Sequence, residues 1–207
     1  LKYRNYRLFF AGQLVSLIGT WMTNTATVWL VYRLTGSALL LGIVGFSSQI
    51  PAAVLSPIAG IYIDQWNKHR LLIATQIFSM LQSFALAALA LTGHITIGWL
   101  IALNALQGLI NAFEMPCRQS FVISLVEEKE NLGNAIALNS SMFNAARLLG
   151  PSIAGVVIAW VGEGWCFFAD GVSFVAVLAS LVAMRLTPRP AMNRPTTALA
   201  EFREGWR

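Results

Sequence analysis

The sequence predicts an all-α membrane protein of six transmembrane helices, and three observations lead there. Of its 207 residues 57% are hydrophobic and only 11% charged, whereas a soluble domain carries about 25% charged residues. The apolar residues gather into six long runs, each close to the roughly 20 residues that span a bilayer core. Lys and Arg gather on one side of those runs. The net charge of +5 therefore reads as membrane topology, not as a footprint for nucleic acid.

In chain order the runs are 8–33, 38–63, 71–92, 97–115, 133–161 and 165–186. The connections 34–37, 93–96 and 162–164 are short and nearly uncharged, while 64–70, 116–132 and both ends of the chain carry the charge. Twelve basic residues fall on that charged side, from Lys2, Arg4 and Arg7 through Lys68, Arg70, Arg118 and Lys129 to the carboxy-terminal arginines. Arg33 alone falls on the other side, and Arg147 lies inside a run. The side rich in Lys and Arg is cytoplasmic, so both termini are expected in the cytoplasm and the protein in the cell membrane. The first run is too long and too polar for a signal-peptide core, so it reads as a retained anchor. The start at Leu1, without Met, is expected of a piece of a longer chain.

Several runs carry polar residues in helical register. The first has Gln13, Ser16, Thr20, Asn24 and Thr27, the fourth Asn104, Gln107 and Asn111, and the fifth Ser140, Asn144 and Arg147. Steps of three and four residues put each set on one helical face. Side-chain amides facing lipid are costly, so these faces are expected to line a wet cavity, with cross-helix hydrogen bonding as the alternative. The third run has a similar stripe, Thr75, Gln76, Ser79 and Gln82, with both readings open, and the sixth, with few polar groups, reads as peripheral. Pro57-Ile-Ala-Gly60 in the second run echoes Pro151-Ser-Ile-Ala-Gly155 in the fifth, as expected of a 3+3 inverted repeat. Cys117, Cys166, His69 and His94 form no metal-type spacing, and neither a metal nor another cofactor is expected.

The loop Gly60-Ile-Tyr-Ile-Asp-Gln-Trp-Asn-Lys-His-Arg70 reads as a tight turn, with Gly60 allowing close helix approach and Asp64 accepting backbone N–H groups at a helix end. It resembles the loop between the second and third helices of the major facilitator superfamily. Gly60, Asp64 and Arg70 fit that pattern, while Gln65 and Asn67 replace a basic residue and a Gly. Gly150, Pro151 and Gly155, with Ala146 and Ala154 as small substitutes, resemble the fifth-helix pattern of the superfamily's antiporters. In the fourth run Gln107-Gly108 matches a further pattern, but Asn104 stands where Arg is usual, which puts proton coupling through that position in doubt. The stretches 111–121 and 142–151 are similar to the branch holding the enterobactin exporter and macrolide efflux proteins. The resemblance implies that residues 1–187 are the amino-terminal six-helix half of a twelve-helix transporter. It also implies that 188–207 begins the central cytoplasmic linker and that a carboxy-terminal six-helix half is a partner.

Arg147 lies near mid-membrane, where a charge must be paired or wet. Asp170, the other charge inside a run, is expected about 14 Å away in height at 1.5 Å per residue, too far to pair with it. Arg147, Asn144, Asn24, Gln107 and Asn111 are therefore expected to bind substrate. Gly60, Asp64, Arg70, Glu114, Arg118, Gly150 and Pro151 are expected to gate. Together these imply a secondary active exporter of a small amphipathic or anionic molecule by alternating access. No mid-span carboxylate is evident to carry a coupled proton. The alternative is a self-associating six-helix scaffold or binding protein. An enzyme is not expected, since nucleophile-elbow and zinc-protease motifs are missing from the sequence.

Overall fold

The computed structural model describes residues 4–63, 66–125 and 132–184. The segment read as a linker, Asp64 of the loop, and the Glu-rich stretch before residue 131 lie outside the described residues. The described residues form six α-helices: α1 (Arg4–Thr35), α2 (Ala38–Ile63), α3 (Lys68–Leu91), α4 (Ile97–Leu125), α5 (Leu132–Val161) and α6 (Glu163–Ala183). Five of them, all but α4, are long and apolar enough to cross a membrane. The 29-residue α4 carries the amides and the Glu114–Arg118 pair, and turns much of that polarity into the bundle.

Positive-φ glycines stand in the three short connections at one end of the bundle: Gly36, Gly93 and Gly162. Only a residue without Cβ takes this left-handed backbone at no cost, so each chain reversal needs only one to five residues. At the opposite end α3 is capped by Asn67, whose side-chain oxygen accepts from the Arg70 backbone N–H at 3.1 Å. Asn67, the residue directly before the first helical turn, thus caps this helix, while Asp64, expected to accept backbone N–H groups at a helix end, lies outside the described residues.

Contacts between the helices obey the expected repeat. α1 lies along α5 and α6, α4 along α2 and α3, and α3 meets α6. Exchanging the first three helices for the last three maps this set onto itself. Tyr6 reaches the Ala135 carbonyl while Gly150 sits against Ile18 and Met22, so α1 and α5 run parallel. Thr23 meets Asp170 and Arg33 meets Glu163, so α1 and α6 run antiparallel.

Two expectations need correction. The charged connection was placed from residue 116, yet α4 continues through Pro116 to Leu125. Cys117, Phe121, Val122 and Leu125 recur at helical spacing and bury themselves beside Tyr6, Phe9 and Leu72, so core packing outweighs the lost proline hydrogen bond. Further, α6 is no peripheral helix. It is among the most buried, presenting Cys166, Phe167, Asp170, Ser173, Phe174, Val177 and Leu181 to α1 and α3. The stripe on α3 is resolved as well: Thr75, Gln76, Ser79 and Gln82 are all buried and pack inward.

Candidate functional site

The parallel pair α1 and α5 crosses closely at Gly150, where a Cβ would lie 3.0 Å from the Ile18 carbonyl oxygen and 3.2 Å from the Met22 nitrogen. That crossing, with half-buried Pro151 on the next position, brings an aromatic and polar surface together. Phe143 meets Trp21 edge-on with ring centroids 5.8 Å apart. One turn along α5 the Arg147 guanidinium carbon sits 5.7 Å from the Trp21 ring centroid. Asn144, Arg147 and, on α1, Asn24 are exposed. The Asn144 amide donates back to the Ser140 carbonyl at 3.0 Å, leaving its oxygen to face outward partners. The expected stripe Ser140, Asn144, Arg147 is thus a real surface. The guanidinium rests on an aromatic face, worth about 0.5–1 kcal/mol where exposed.

Beside this surface an open cleft of about 340 Å³ lies between α4 and α5. Met115, Arg118, Gln119 and Val122 form one wall, and Asn139, Ser140, Phe143 and Asn144 the other. Its volume and mixed lining suit a small molecule. Arg118 is oriented by Glu114 at 3.7 Å and by the Gln13 side-chain oxygen at 3.4 Å. The sequence assigned Arg118 to a gate; its place in this wall is something spacing alone gave no sign of. Arg147 is not in the cleft lining but one turn beyond it.

Gln107 and Asn111 lead elsewhere. The Gln107 amide donates to Ser79 Oγ and to Asn111 Oδ1, each at 3.1 Å. Gln82 Nε2 donates to the Leu103 carbonyl at 3.2 Å. The Gln107–Ser79 and Gln82–Leu103 bonds stitch α3 to α4, the cross-helix alternative to cavity lining, while the Gln107–Asn111 bond lies within α4. On α1 the stripe divides in the same way, with Gln13, Ser16 and Thr27 buried and Asn24 exposed. Among the gating candidates, Gly150 makes the tight crossing described above, whereas a Cβ on Gly60 would meet nothing within 4 Å. Close helix approach at Gly60 is therefore not a feature of this bundle. Arg70 is exposed and Asp64 lies outside the described residues. Glu114 and Arg118 pair across one helical turn despite Pro116.

Sequence reasoning overlooked the surroundings of Asp170, which is 2% exposed. Thr23 of α1 and Ser83 of α3 donate to its Oδ2 at 2.8 and 2.9 Å. Ser173 Oγ lies 3.5 Å from Oδ1. The signal was the isolated hydroxyls of Thr23 and Ser83, but pairing them with Asp170 needed the fold.

A family profile described as "Transmembrane secretion effector" matches residues 1–207. The chain is 32% identical over 177 residues to the staphyloferrin A transporter of Staphylococcus aureus, covering 84% of this chain and 44% of that protein. It is 27% identical to the multidrug efflux pump Tap of Mycolicibacterium fortuitum, covering 97% of this chain and 51% of the pump. It is 24% identical to macrolide efflux protein A of Streptococcus pyogenes, covering 75% of this chain and 39% of that protein. The chain thus spans about half the length of the curated relatives it matches. Six helices in a 3+3 arrangement, five of them apolar enough to span a bilayer, agree with that match. The chain belongs to the transmembrane secretion effector family of major facilitator superfamily transporters.

Proposed function

We propose that the chain is the amino-terminal half of a secondary active exporter in the cell membrane, with both termini cytoplasmic. It moves a small amphipathic or anionic molecule by alternating access. The observation that carries this reading is the continuous polar and aromatic surface from the Arg118 cleft to Phe143, Asn144, Arg147 and Trp21. In an apolar bundle, two cations beside amides and aromatic faces suit an amphipathic or anionic cargo. Relatives named for staphyloferrin A, macrolide and multidrug transport support export of small molecules. A carboxy-terminal six-helix half would face this surface and complete the site. Gln107, held by Asn111, serves it from behind by fixing α4 on α3.

Uptake into inverted membrane vesicles carrying the full-length protein tests the reading. Efflux-direction transport of a labelled macrolide or staphyloferrin A is expected, and binding without transport would favour a scaffold or binding protein instead. Orientation is tested by introduced cysteines, because native Cys117 and Cys166 are buried and poor probes. In a background lacking both, Asn67→Cys is expected to label only from the cytoplasmic side and His94→Cys only from outside. The reverse pattern would overturn the topology.

Asp64, Arg70, Glu114 and Arg118 are assigned to the cytoplasmic gate, with Gly150 and Pro151 at the crossing where bending and sliding coincide. Gly60, where a Cβ would meet nothing within 4 Å, is assigned to the same gate. Asp64→Asn is expected to slow transport severalfold with substrate affinity retained, because a gate acts on the balance between two states and not on the site. Binding to solubilised protein beside transport in vesicles decides this. An affinity loss at normal maximal rate would contradict it.

A further inference from the structure

Asp170 sits about 10 Å into the bundle, seven residues from the start of α6 at 1.5 Å per residue. Its described hydrogen-bond partners are hydroxyls, not cations. On α1 no charge stands between Arg7 and Arg33, and Arg33 is paired with Glu163. On α3 the charged residues Lys68 and Arg70 and the imidazole of His69 cluster at the far end, and His94 lies past the other end, exposed. On α5 Arg147 rests on Trp21, and on α6 Glu163 is the other acid. An ionised carboxylate in this setting lacks a counter-charge, which is costly.

Its hydroxyl partners can donate to the ionised form or accept from the neutral acid by rotating, so both forms are served without rebuilding the site. Space argues for a proton over a metal ion. Two hydroxyls already touch Oδ2, and the α1 backbone closes the Oδ1 side, where a Cβ on Gly19 would lie 2.7 Å from that oxygen.

A buried polar seam leads away from this site. Ser83, Gln82, Ser79 and Gln76 follow one another down the buried face of α3. Ser83 lies 3.5 Å from the Gln82 side-chain oxygen, and Gln107 joins Ser79 to Asn111, one turn from Glu114. Along it Gln76 Oε1 and Gln107 Oε1 are buried without a hydrogen-bond partner, as is Nε2 of Gln13 on α1, whose oxygen accepts from Arg118. Buried polar atoms of this kind anchor ordered water.

We propose that Asp170 is the proton-binding site of this half, linked through the α3–α4 polar seam to Glu114 at the opposite end of the bundle. Hydronium on the seam gives its proton to the carboxylate, leaving the neutral acid and water, and release is the reverse. Asp170 then couples proton movement to α1, through Thr23 and the Gly19 approach, and α1 carries Trp21 and Asn24. This coupling role rests on the transporter reading; the proton site does not.

The test is the infrared difference spectrum, acid minus alkaline, of the full-length protein in lipid without substrate. A protonated-carboxyl carbonyl band is expected that vanishes in Asp170→Asn. Thr23→Val and Ser83→Ala keep the acid but change its hydrogen bonds, so the band should move in each. Glu114→Gln should keep the band and slow its deuterium exchange. Replacing sodium by choline at fixed pH should change nothing. A band unmoved in both hydroxyl variants, or intact in Asp170→Asn, overturns the proposal; if Asp170→Asn does not fold, the hydroxyl variants decide. Dependence of the band on sodium assigns the site to that ion and equally overturns it. Undiminished proton-driven transport by Asp170→Asn removes the coupling role while leaving the transporter reading intact. Absence of transport by the unmodified protein removes that reading and leaves the band unaffected.

Discussion

Gly108→Leu is expected to prevent stable folding, whereas Gly60→Leu should leave the fold of this bundle intact. Gly108 of α4 faces the α2 backbone, and any Cβ there would fall well inside van der Waals contact of the Ser48 carbonyl oxygen. It would also lie 2.8 Å from the Ser48 carbonyl carbon and 3.0 Å from its Cα. These are backbone atoms of a helix and cannot swing aside as a side chain could, so α2 and α4 must separate. Overpacking of a well-fitted contact costs about 1–3 kcal/mol and occasionally more, a large part of the roughly 5–15 kcal/mol that holds a typical domain together. Within a bilayer close packing itself drives helix association, and α2 rests mainly on α4. Gly108→Ala should show a milder form, a lower melting temperature of the full-length protein in detergent. A Gly108→Leu protein that melts like the unmodified one would show that α2 and α4 do not meet this way in the membrane.

The contrast between these glycines marks what could be read from the chain. The helices were legible because apolar runs of bilayer length, interrupted by Gly36, Gly93 and Gly162, leave few other arrangements. Their two-group repeat was legible from the Pro57 and Pro151 segments. What stayed hidden was partnership across long separations. Gly60 and Gly108 are indistinguishable as letters, and only the crossing of α2 with α4 assigns the tight contact to Gly108. Asp170 read as a charge near a helix end because its partners Thr23 and Ser83 lie 147 and 87 residues away. Polar stripes were visible as periodicity, but the direction of each stripe was not. Those of α3 and α4 meet at Ser79 and Gln107, while that of α5 opens outward. The end of α4 was misread because Pro116 and nearby charges hid the spacing of Cys117, Phe121 and Leu125, which only the packed core rewards.

Arg147→Gln is expected to lower substrate affinity about tenfold or more while the protein still folds and reaches the membrane. The structural share of Arg147 is small, since its contact is an exposed guanidinium over the half-buried Trp21 ring, worth about 0.5–1 kcal/mol. Its functional share should be larger. A hydrogen bond to a charged group contributes about 1.5–3 kcal/mol, and each 1.4 kcal/mol is tenfold in affinity. Arg147→Lys keeps the charge but loses the planar fork and the stacking on Trp21, and should retain only part of the affinity. Trp21→Phe keeps an aromatic face and should resemble Arg147→Lys, because it loosens the guanidinium without removing it. Arg118→Gln is a different case: it removes the partner of Glu114 and Gln13 as well as a cleft wall, so stability and affinity should fall together. Binding of the transported compound to purified full-length variants, with melting temperatures beside it, separates these patterns. Normal affinity in Arg147→Gln would remove the residue from the binding surface. Loss of folding in that variant would make the Trp21 contact structural.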